Sequence, residues 1–380
     1  MKKNQLVTLG KHIDILPGCA FPSSGFNRNN GVPLIRIRDI LSGKTETYYE
    51  GSYDLKYLIK KGDLLVGMDG DFNREYWKGT DALLNQRVCK ITPNPETLDK
   101  NFLYHFLQKE LDKIHATTDV VTVKHLSVKK IQDIKIRLPS LKEQKRIAAI
   151  LDKADAIRQK REQAIKLADD FLRAKFLEMF GTPANNIHRF PKGTIRDLVD
   201  SVNYGTSAKA SIDSGEYPIL RMGNITYQGR WDFTDLKYLD LSVKEKDKYL
   251  VKEGDLLFNR TNSKELVGKT AVYEEDRPMA FAGYLIRVRP NSIGNNYYIS
   301  GYLNSIHGKI TLMNMCKSIV GMANINAQEL QNIEILIPPK HLQDEYEIIY
   351  KKIKKGLSIY DKSAMQLQLL ASNLSNKYFM

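Results

Sequence analysis

Two sets of side chains in this sequence could do chemistry. Asp63, Asp69 and Asp71 could together hold a divalent metal for hydrolysis, and Asp69-Gly70-Asp71 opens like a calcium loop, although the later ligand positions of that pattern are not filled. The second set is richer. Arginine, asparagine and lysine gather in short polar loops between apolar runs: Arg28 within Ser23 to Asn30; Asn73, Arg74, Tyr76, Trp77 and Lys78 within Asp69 to Lys78; Lys209 within Thr206 to Lys209; Arg260, Asn262 and Lys264 within Asn259 to Lys264. Such residues offer recognition rather than catalysis. Arg can grip O6 and N7 of guanine in bidentate fashion and Asn can do the same to adenine, each pair worth about 1–3 kcal/mol of discrimination. Arg36, Arg38 and Arg221 fall on predicted strands and Lys124 beside one, where phosphate contact is as good a use as base readout.

Composition supports a polyanionic partner. Lys and Arg total 58 against 44 Asp and Glu, a formal charge of +14. With 42% hydrophobic and 27% charged residues the chain reads as globular, and no apolar run is long enough to span a bilayer. Met1-Lys2-Lys3 and Leu16-Pro17-Gly18-Cys19 superficially suggest an export signal, but Lys11, His12 and Asp14 interrupt the stretch that would have to be apolar. Three cysteines without CxxC spacing argue against a disulfide framework or a zinc site, so a reducing cytoplasm is expected. No GxGxxG, GxxxxGK[ST] or HExxH pattern occurs, and the histidines are scattered. No metal and no cofactor is therefore expected on this chain.

A chain of 380 residues calls for two cores, and the sequence supplies them by repetition. Pro33-Leu34-Ile35-Arg36-Ile37-Arg38-Asp39-Ile40 is echoed by Pro218-Ile219-Leu220-Arg221-Met222-Gly223-Asn224-Ile225, both alternating like half-buried strands. Lys61-Gly62-Asp63-Leu64-Leu65 is echoed by Glu253-Gly254-Asp255-Leu256-Leu257, a turn feeding an apolar strand. Asn101-Phe102-Leu103-Tyr104 and Asn296-Tyr297-Tyr298-Ile299 each open a short helix. Val123-Lys124-His125-Leu126 leads to a strand ending at Leu138-Pro139, as Ile325-Asn326 leads to Ile337-Pro338-Pro339.

After each proline the pattern becomes helical. Ile147, Ile150, Ala154, Ile157, Ala164, Ala168 and Phe171 form one predicted stripe, with Arg161 its polar exception. Tyr346, Tyr350, Ile353, Leu357, Tyr360, Ala364, Leu367, Ala371, Leu374 and Tyr378 form the other, interrupted only by the weak helix former Gly356. Each helix would run about 50–60 Å at 1.5 Å per residue, and the two stripes are each other's obvious partner. Periodicity alone leaves parallel or antiparallel pairing open. The predicted organisation is α+β, with mixed α/β domains at 1–140 and 185–338 and long helices at 141–184 and 339–380.

The duplicated plan, the junction Leu138-Pro139-Ser140-Leu141-Lys142-Glu143-Gln144-Lys145-Arg146-Ile147 and its partner Ile337-Pro338-Pro339 resemble the specificity subunits of type I restriction-modification systems. The second junction, Lys340-His341-Leu342-Gln343-Asp344, departs from the Glu-Gln-Lys pattern. The resemblance implies two target recognition domains, each reading one half of a split double-stranded DNA site, held apart by an antiparallel coiled coil. It further implies two methyltransferase subunits that bind S-adenosylmethionine, and two ATP-driven, magnesium-using restriction subunits that can join, so that catalysis and cofactors belong to partners. Gln144, Lys145, Arg146 and Lys153 on the first helix and Tyr346 on the second are then candidate partner contacts, and the helices act as a ruler between half-sites. Two rival readings fit the same sequence: a metal-dependent nuclease built on the three aspartates, and a helical interaction scaffold with no use for DNA.

Overall fold

The Gly-Asp echoes fold into the same turn twice. Gly62 (φ +92°) and Gly254 (φ +88°) occupy the left-handed region that glycine enters without steric cost. The next carboxylate, Asp63 or Asp255, accepts the backbone N–H three residues earlier, from Lys60 or Lys252, at 2.9 Å in each case. Each turn releases a strand buried along its whole length, Leu64–Gly67 and Leu256–Asn259.

Around these strands the computed structural model, which describes residues 5–118, 124–316 and 322–379, builds two units. One comprises Met1–Lys160 with Lys362–Met380, and the other Arg161–Asp361. In the N-terminal unit an antiparallel sheet runs in the order Ile13–Pro17, Val88–Pro93, Leu64–Gly67, Arg74–Tyr76. The C-terminal unit repeats it as Val199–Tyr204, Leu285–Pro290, Leu256–Asn259, Thr270–Val272. A second sheet in each unit holds one parallel pair, Val32–Ile35 with Ala82–Leu84 and Tyr217–Leu220 with Met279–Phe281. A two-stranded ribbon closes each, Gln5–Thr8 with Lys135–Leu138 and Lys192–Thr194 with Glu334–Leu336.

The alternating stretches predicted as single strands are shorter than expected. Strand pairing stops at Ile35 and Leu220, and single 3-10 turns follow, Ile37–Asp39 and Met222–Asn224. The Arg36 N–H donates to the Asp39 carboxylate (2.9 Å) and the Arg221 N–H to Asn224 Oδ1 (2.8 Å), a side-chain acceptor that outcompetes the ladder. Arg36, Arg38 and Arg221 therefore sit at turns, not on strands.

The helices are α1 (Lys100–Ala116), α2 (Val128–Gln132), α3 (Leu141–Phe180), α4 (Val243–Tyr249), α5 (Asn296–Asn304), α6 (Ile306–Met315), α7 (Ala327–Gln331) and α8 (Lys340–Phe379). In α1, Asp99 caps the N–H groups of Asn101 and Phe102, and Phe102, Leu103, Phe106, Leu107 and Leu111 bury one face against the antiparallel sheet's core. Aromatic residues of α5, Tyr297, Tyr298 and Tyr302, do the same in the C-terminal unit.

The two proline junctions match better than their sequences do. Gln144 Nε2 donates to the carbonyls of Pro139 and Thr97 (both 3.0 Å) while its Oε1 accepts the Asp99 N–H (2.8 Å). Gln343 Nε2 donates to Pro338 (2.9 Å) and Ile293 (3.0 Å). One glutamine five residues past each proline thus sets the helix entry, so the second junction makes the same contact although its sequence departs from the Glu-Gln-Lys pattern. Gln144 is 1% exposed and spent on backbone, so it is not a partner contact. Replacing Gln144 by alanine is expected to cost the N-terminal unit about 1–3 kcal/mol by stranding the carbonyls and N–H it satisfies; urea midpoints of the variant against wild type measure it.

Along the long helices the seam differs from expectation in α3. Phe171 is 49% exposed, and Leu172, Phe176 and Phe180 are the buried residues near that end, one position on from the predicted stripe. Ile147, Ala148 and Leu151 share a core with Ala371 and Phe379, whereas Phe176 and Phe180 share one with Tyr346 and Tyr350. Early residues of α3 meet late residues of α8 and the reverse, so the helices run antiparallel. Tyr346, 3% exposed against the rings of Phe176 and Phe180, is core and not a partner contact. Val123 of the predicted lead-in and Tyr360, Ala364 and Tyr378 of the second stripe lie outside the described residues and side chains.

Candidate nucleic-acid interface

At one end of each antiparallel sheet, four chain segments are tied into a rim by backbone hydrogen bonds. Gly18 and Gly205 begin it. A Cβ on Gly18 would lie 2.0 Å from the Asn85 carbonyl oxygen and one on Gly205 2.3 Å from that of Ala282, so only glycine allows the approach. In the N-terminal unit the Gly18 N–H donates to Val88, Cys19 to Leu84, Gln86 to Cys19, Met68 to Arg87, Gly70 to Lys124 and Leu126 to Met68. In the C-terminal unit Gly205 donates to Leu285, Thr206 to Phe281, Gly283 to Thr206, Arg260 to Tyr284 and Ile325 to Arg260. These bonds pair the two rims position by position.

The backbone frame is common, but the side chains it carries differ. Met68, Asp69, Arg87 and His125 of the first rim correspond to Arg260, Thr261, Tyr284 and Asn324 of the second. In the first rim, the Asp69 carboxylate holds His125 Nδ1 at 2.5 Å and Arg87 Nε at 3.4 Å. In the second, the Arg260 guanidinium lies over the Tyr204 ring, 4.8 Å from its centroid, and Tyr204 Oη accepts the Ala327 N–H at 2.9 Å. A shared frame with unlike hydrogen-bonding groups can recognise two different base sequences.

Several residues singled out by loop composition lie on these rims. Asn73, whose carbonyl accepts the Gly67 N–H, borders the first, and exposed Lys209 and half-buried Arg260 and Asn262 stand on the second with exposed Lys264 continuing its loop. Others are placed elsewhere. Arg28 is exposed on the turn after the edge strand Phe26–Asn27 of the second sheet. Arg36 stacks over Phe26 (5.5 Å), and Arg221 Nη2 pairs with the Asp235 carboxylate at 2.8 Å.

The loop Asp69 to Lys78 is corrected most. Only its first half is loop, because Arg74–Tyr76 is a strand paired with Leu64, Leu65 and Val66. The Arg74 guanidinium packs 3.4 Å from the centroid of Tyr104, and Tyr76 stacks on the same residue (4.8 Å) with its hydroxyl donating to the Lys100 carbonyl at 2.9 Å. Burial pushes the Tyr76 and Tyr104 hydroxyls above their usual pKa. Trp77 is 2% exposed and its indole N–H donates to the Thr80 carbonyl; it is a core residue. Lys78 pairs with Glu75 at 3.1 Å, and Lys124 Nζ caps the end of α1 through the His115 carbonyl at 2.6 Å. Arg74, Tyr76, Trp77 and Lys124 hold the fold together and leave the reading set.

The three aspartates are not gathered. Asp63 closes its turn and pairs with Lys90 (3.6 Å), while Asp69 serves Arg87 and His125. Among the described residues no three His, Cys, Asp or Glu side chains are placed to hold a metal ion, and no helix is long and apolar enough to cross a membrane. The rim residues that sequence reasoning missed are Arg87, His125, Tyr284 and Asn324. The available signal was the pair of polar breaks, Gln86-Arg87 and Gly283-Tyr284, each between two apolar strands.

Residues 1–167 and again 190–371 match the family described as type I restriction modification DNA specificity domain. The EcoBI type I restriction enzyme specificity subunit of Escherichia coli is 30% identical, over 97% of this chain and 82% of its own length. The EcoKI specificity subunit of E. coli K12 is 23% identical, over 92% and 80% respectively. Among solved structures, the type I S subunit from M. genitalium superposes with a TM-score of 0.66 at 14% identity, covering 98% of this chain and 95% of that one. With both repeats matched and the whole fold shared, the chain belongs to the type I restriction-modification DNA specificity family, whose members are DNA-recognition subunits and not catalysts.

Proposed function

We propose that the chain reads a split DNA site, each rim contacting one half-site, and that the outer faces of α3 and α8 carry two methyltransferase subunits. The observation that carries this is the rim itself: one backbone frame made twice, with different side chains presented from equivalent positions. The charge of +14 supplies salt-dependent attraction to phosphates, and the rims supply the sequence discrimination. Lys145 and Lys153, exposed near the start of α3, and Arg146, which forms a two-point pair with Glu143, face outward and suit partner contact. S-adenosylmethionine would be bound by the methyltransferase subunits, with ATP and magnesium used by restriction subunits that join the same assembly in the cytoplasm. The relatives named above are specificity subunits of restriction enzymes, which supports partners of this kind.

The test is to co-express the chain with its methyltransferase subunit and map methylated bases across a host genome. A motif of two short half-sites separated by an unspecific gap is expected. A verified, soluble complex that adds no methylation, or that methylates a single continuous motif, overturns the proposal.

A further inference from the structure

We propose that Arg87 is the base-reading residue of the N-terminal rim and that it takes a guanine, an assignment that rests on the two-rim function above. Four observations converge on it. Its side chain is 56% exposed at the head of a turn, while Asp69, which holds Arg87 Nε at 3.4 Å, is only 18% exposed. His125 Nδ1 donates to one oxygen of the same carboxylate at 2.5 Å while Arg87 Nε pairs with the other, so the counter-charge beside the guanidinium is itself held in place. The backbone at Arg87 has φ +72°, a conformation that a residue with a Cβ holds only when its surroundings enforce it. Here the enforcing contact is the Met68 N–H, which donates to the Arg87 carbonyl at 2.8 Å.

Charge decides between base and phosphate. A free arginine is drawn to phosphate by its net positive charge, but beside Asp69 the pair is close to neutral, which weakens that pull while leaving the planar donor fork in place. A fork already ordered by protein contacts loses less side-chain freedom on binding, so its hydrogen bonds discriminate more effectively. The bidentate partner that fits such a fork is the O6 and N7 edge of guanine. Neighbouring cations do not compete for this role: Lys124 is spent on the His115 carbonyl and Arg74 on the Tyr104 ring. In the C-terminal rim the same position is Tyr284, 55% exposed, which cannot make the paired contact. The two half-sites are thus read by unlike chemistry at equivalent positions.

The experiment maps methylation by the co-expressed complex carrying wild-type chain, Arg87→Ala or Arg87→Lys. One guanine position in one half-site is expected to lose roughly tenfold to a hundredfold of its preference in Arg87→Ala and a smaller but measurable part of it in Arg87→Lys, because the lysine ammonium lacks the rigid planar donor fork, with the other half-site unchanged. Asp69→Asn, which frees the guanidinium and restores a positive charge, is expected to soften the same position and to tighten binding to unrelated duplex DNA. Full preference retained in Arg87→Ala, a uniform loss at every position, or a wild-type motif with no guanine in either half-site each overturns the assignment. A split wild-type motif that Arg87→Ala leaves intact sinks Arg87 alone; no wild-type methylation at all sinks the two-rim function.

Discussion

Truncating Phe180 to alanine is expected to cost the C-terminal unit about 3–5 kcal/mol, the usual range for emptying a buried aromatic site. The ring is fully buried, with centroids 4.7 Å from Tyr298, 5.0 Å from Phe176 and 5.9 Å from Tyr346, so no neighbour can collapse into the space without repacking several others. Phe379→Ala should take a similar amount from the N-terminal unit, where that ring lies edge-on to Phe102 (5.2 Å) and Phe106 (5.7 Å). Both residues end a 40-residue helix that starts in the other unit. Each domain's core is therefore completed by the helix that follows the other domain in sequence. Amide hydrogen exchange distinguishes the two effects: Phe180→Ala should speed exchange in Leu285–Pro290, and Phe379→Ala in Val88–Pro93. Equal loss of protection in both strands from either variant would show that stability is not partitioned in this way.

What could be read from the sequence was whatever is encoded locally and twice. The Gly-Asp turns, the apolar strands after them and the proline-to-helix junctions each depend on a few adjacent residues, and their repetition gave the architecture before any contact was known. The misreadings share one cause, a partner distant in sequence. Arg74 and Tyr76 looked like loop residues because nothing nearby announces that Tyr104 will take both in a stack. Gln144 looked like surface because helical patterning treats glutamine as polar, whereas the carbonyls of Thr97 and Pro139 bury it. Phe171 and Leu172 are adjacent apolar residues on α3, and only the opposing helix decides which turns inward. Arg87 was invisible for a related reason, since Asp69, which pairs with it, and His125, which holds that carboxylate, come from two other segments.

The second large effect is expected at Asp255, and it separates two residues that the repeat makes look equivalent. The Asp255 carboxylate, 4% exposed, accepts the Lys252 N–H at 2.9 Å and both Nε (2.8 Å) and Nη2 (3.1 Å) of Arg289. Arg287, 3% exposed, has its Nε 3.9 Å away, donates Nη1 to the Leu250 carbonyl and lies over the Phe281 ring. The hydrogen bond to Asp255 holds Arg289 more firmly protonated, whereas burial pulls the Arg287 pKa below its usual value. Removing the carboxylate would leave a buried cation without its counter-charge, so Asp255→Ala should destabilise the C-terminal unit by about 3–5 kcal/mol. Asp255→Asn should cost less, because the amide oxygen can still close the turn. Asp63 makes the same turn in the N-terminal unit, but among the described residues its ion pair is with Lys90 at 3.6 Å, and both side chains are about a quarter exposed. Solvent screens that pair, and Asp63→Ala should cost only about 1 kcal/mol, mostly through the turn. Urea unfolding of both variants, followed by a probe in each unit, tests the difference. Equal losses would mean that the shared turn, and not the pairing with Arg287 and Arg289, sets the energetics of this motif.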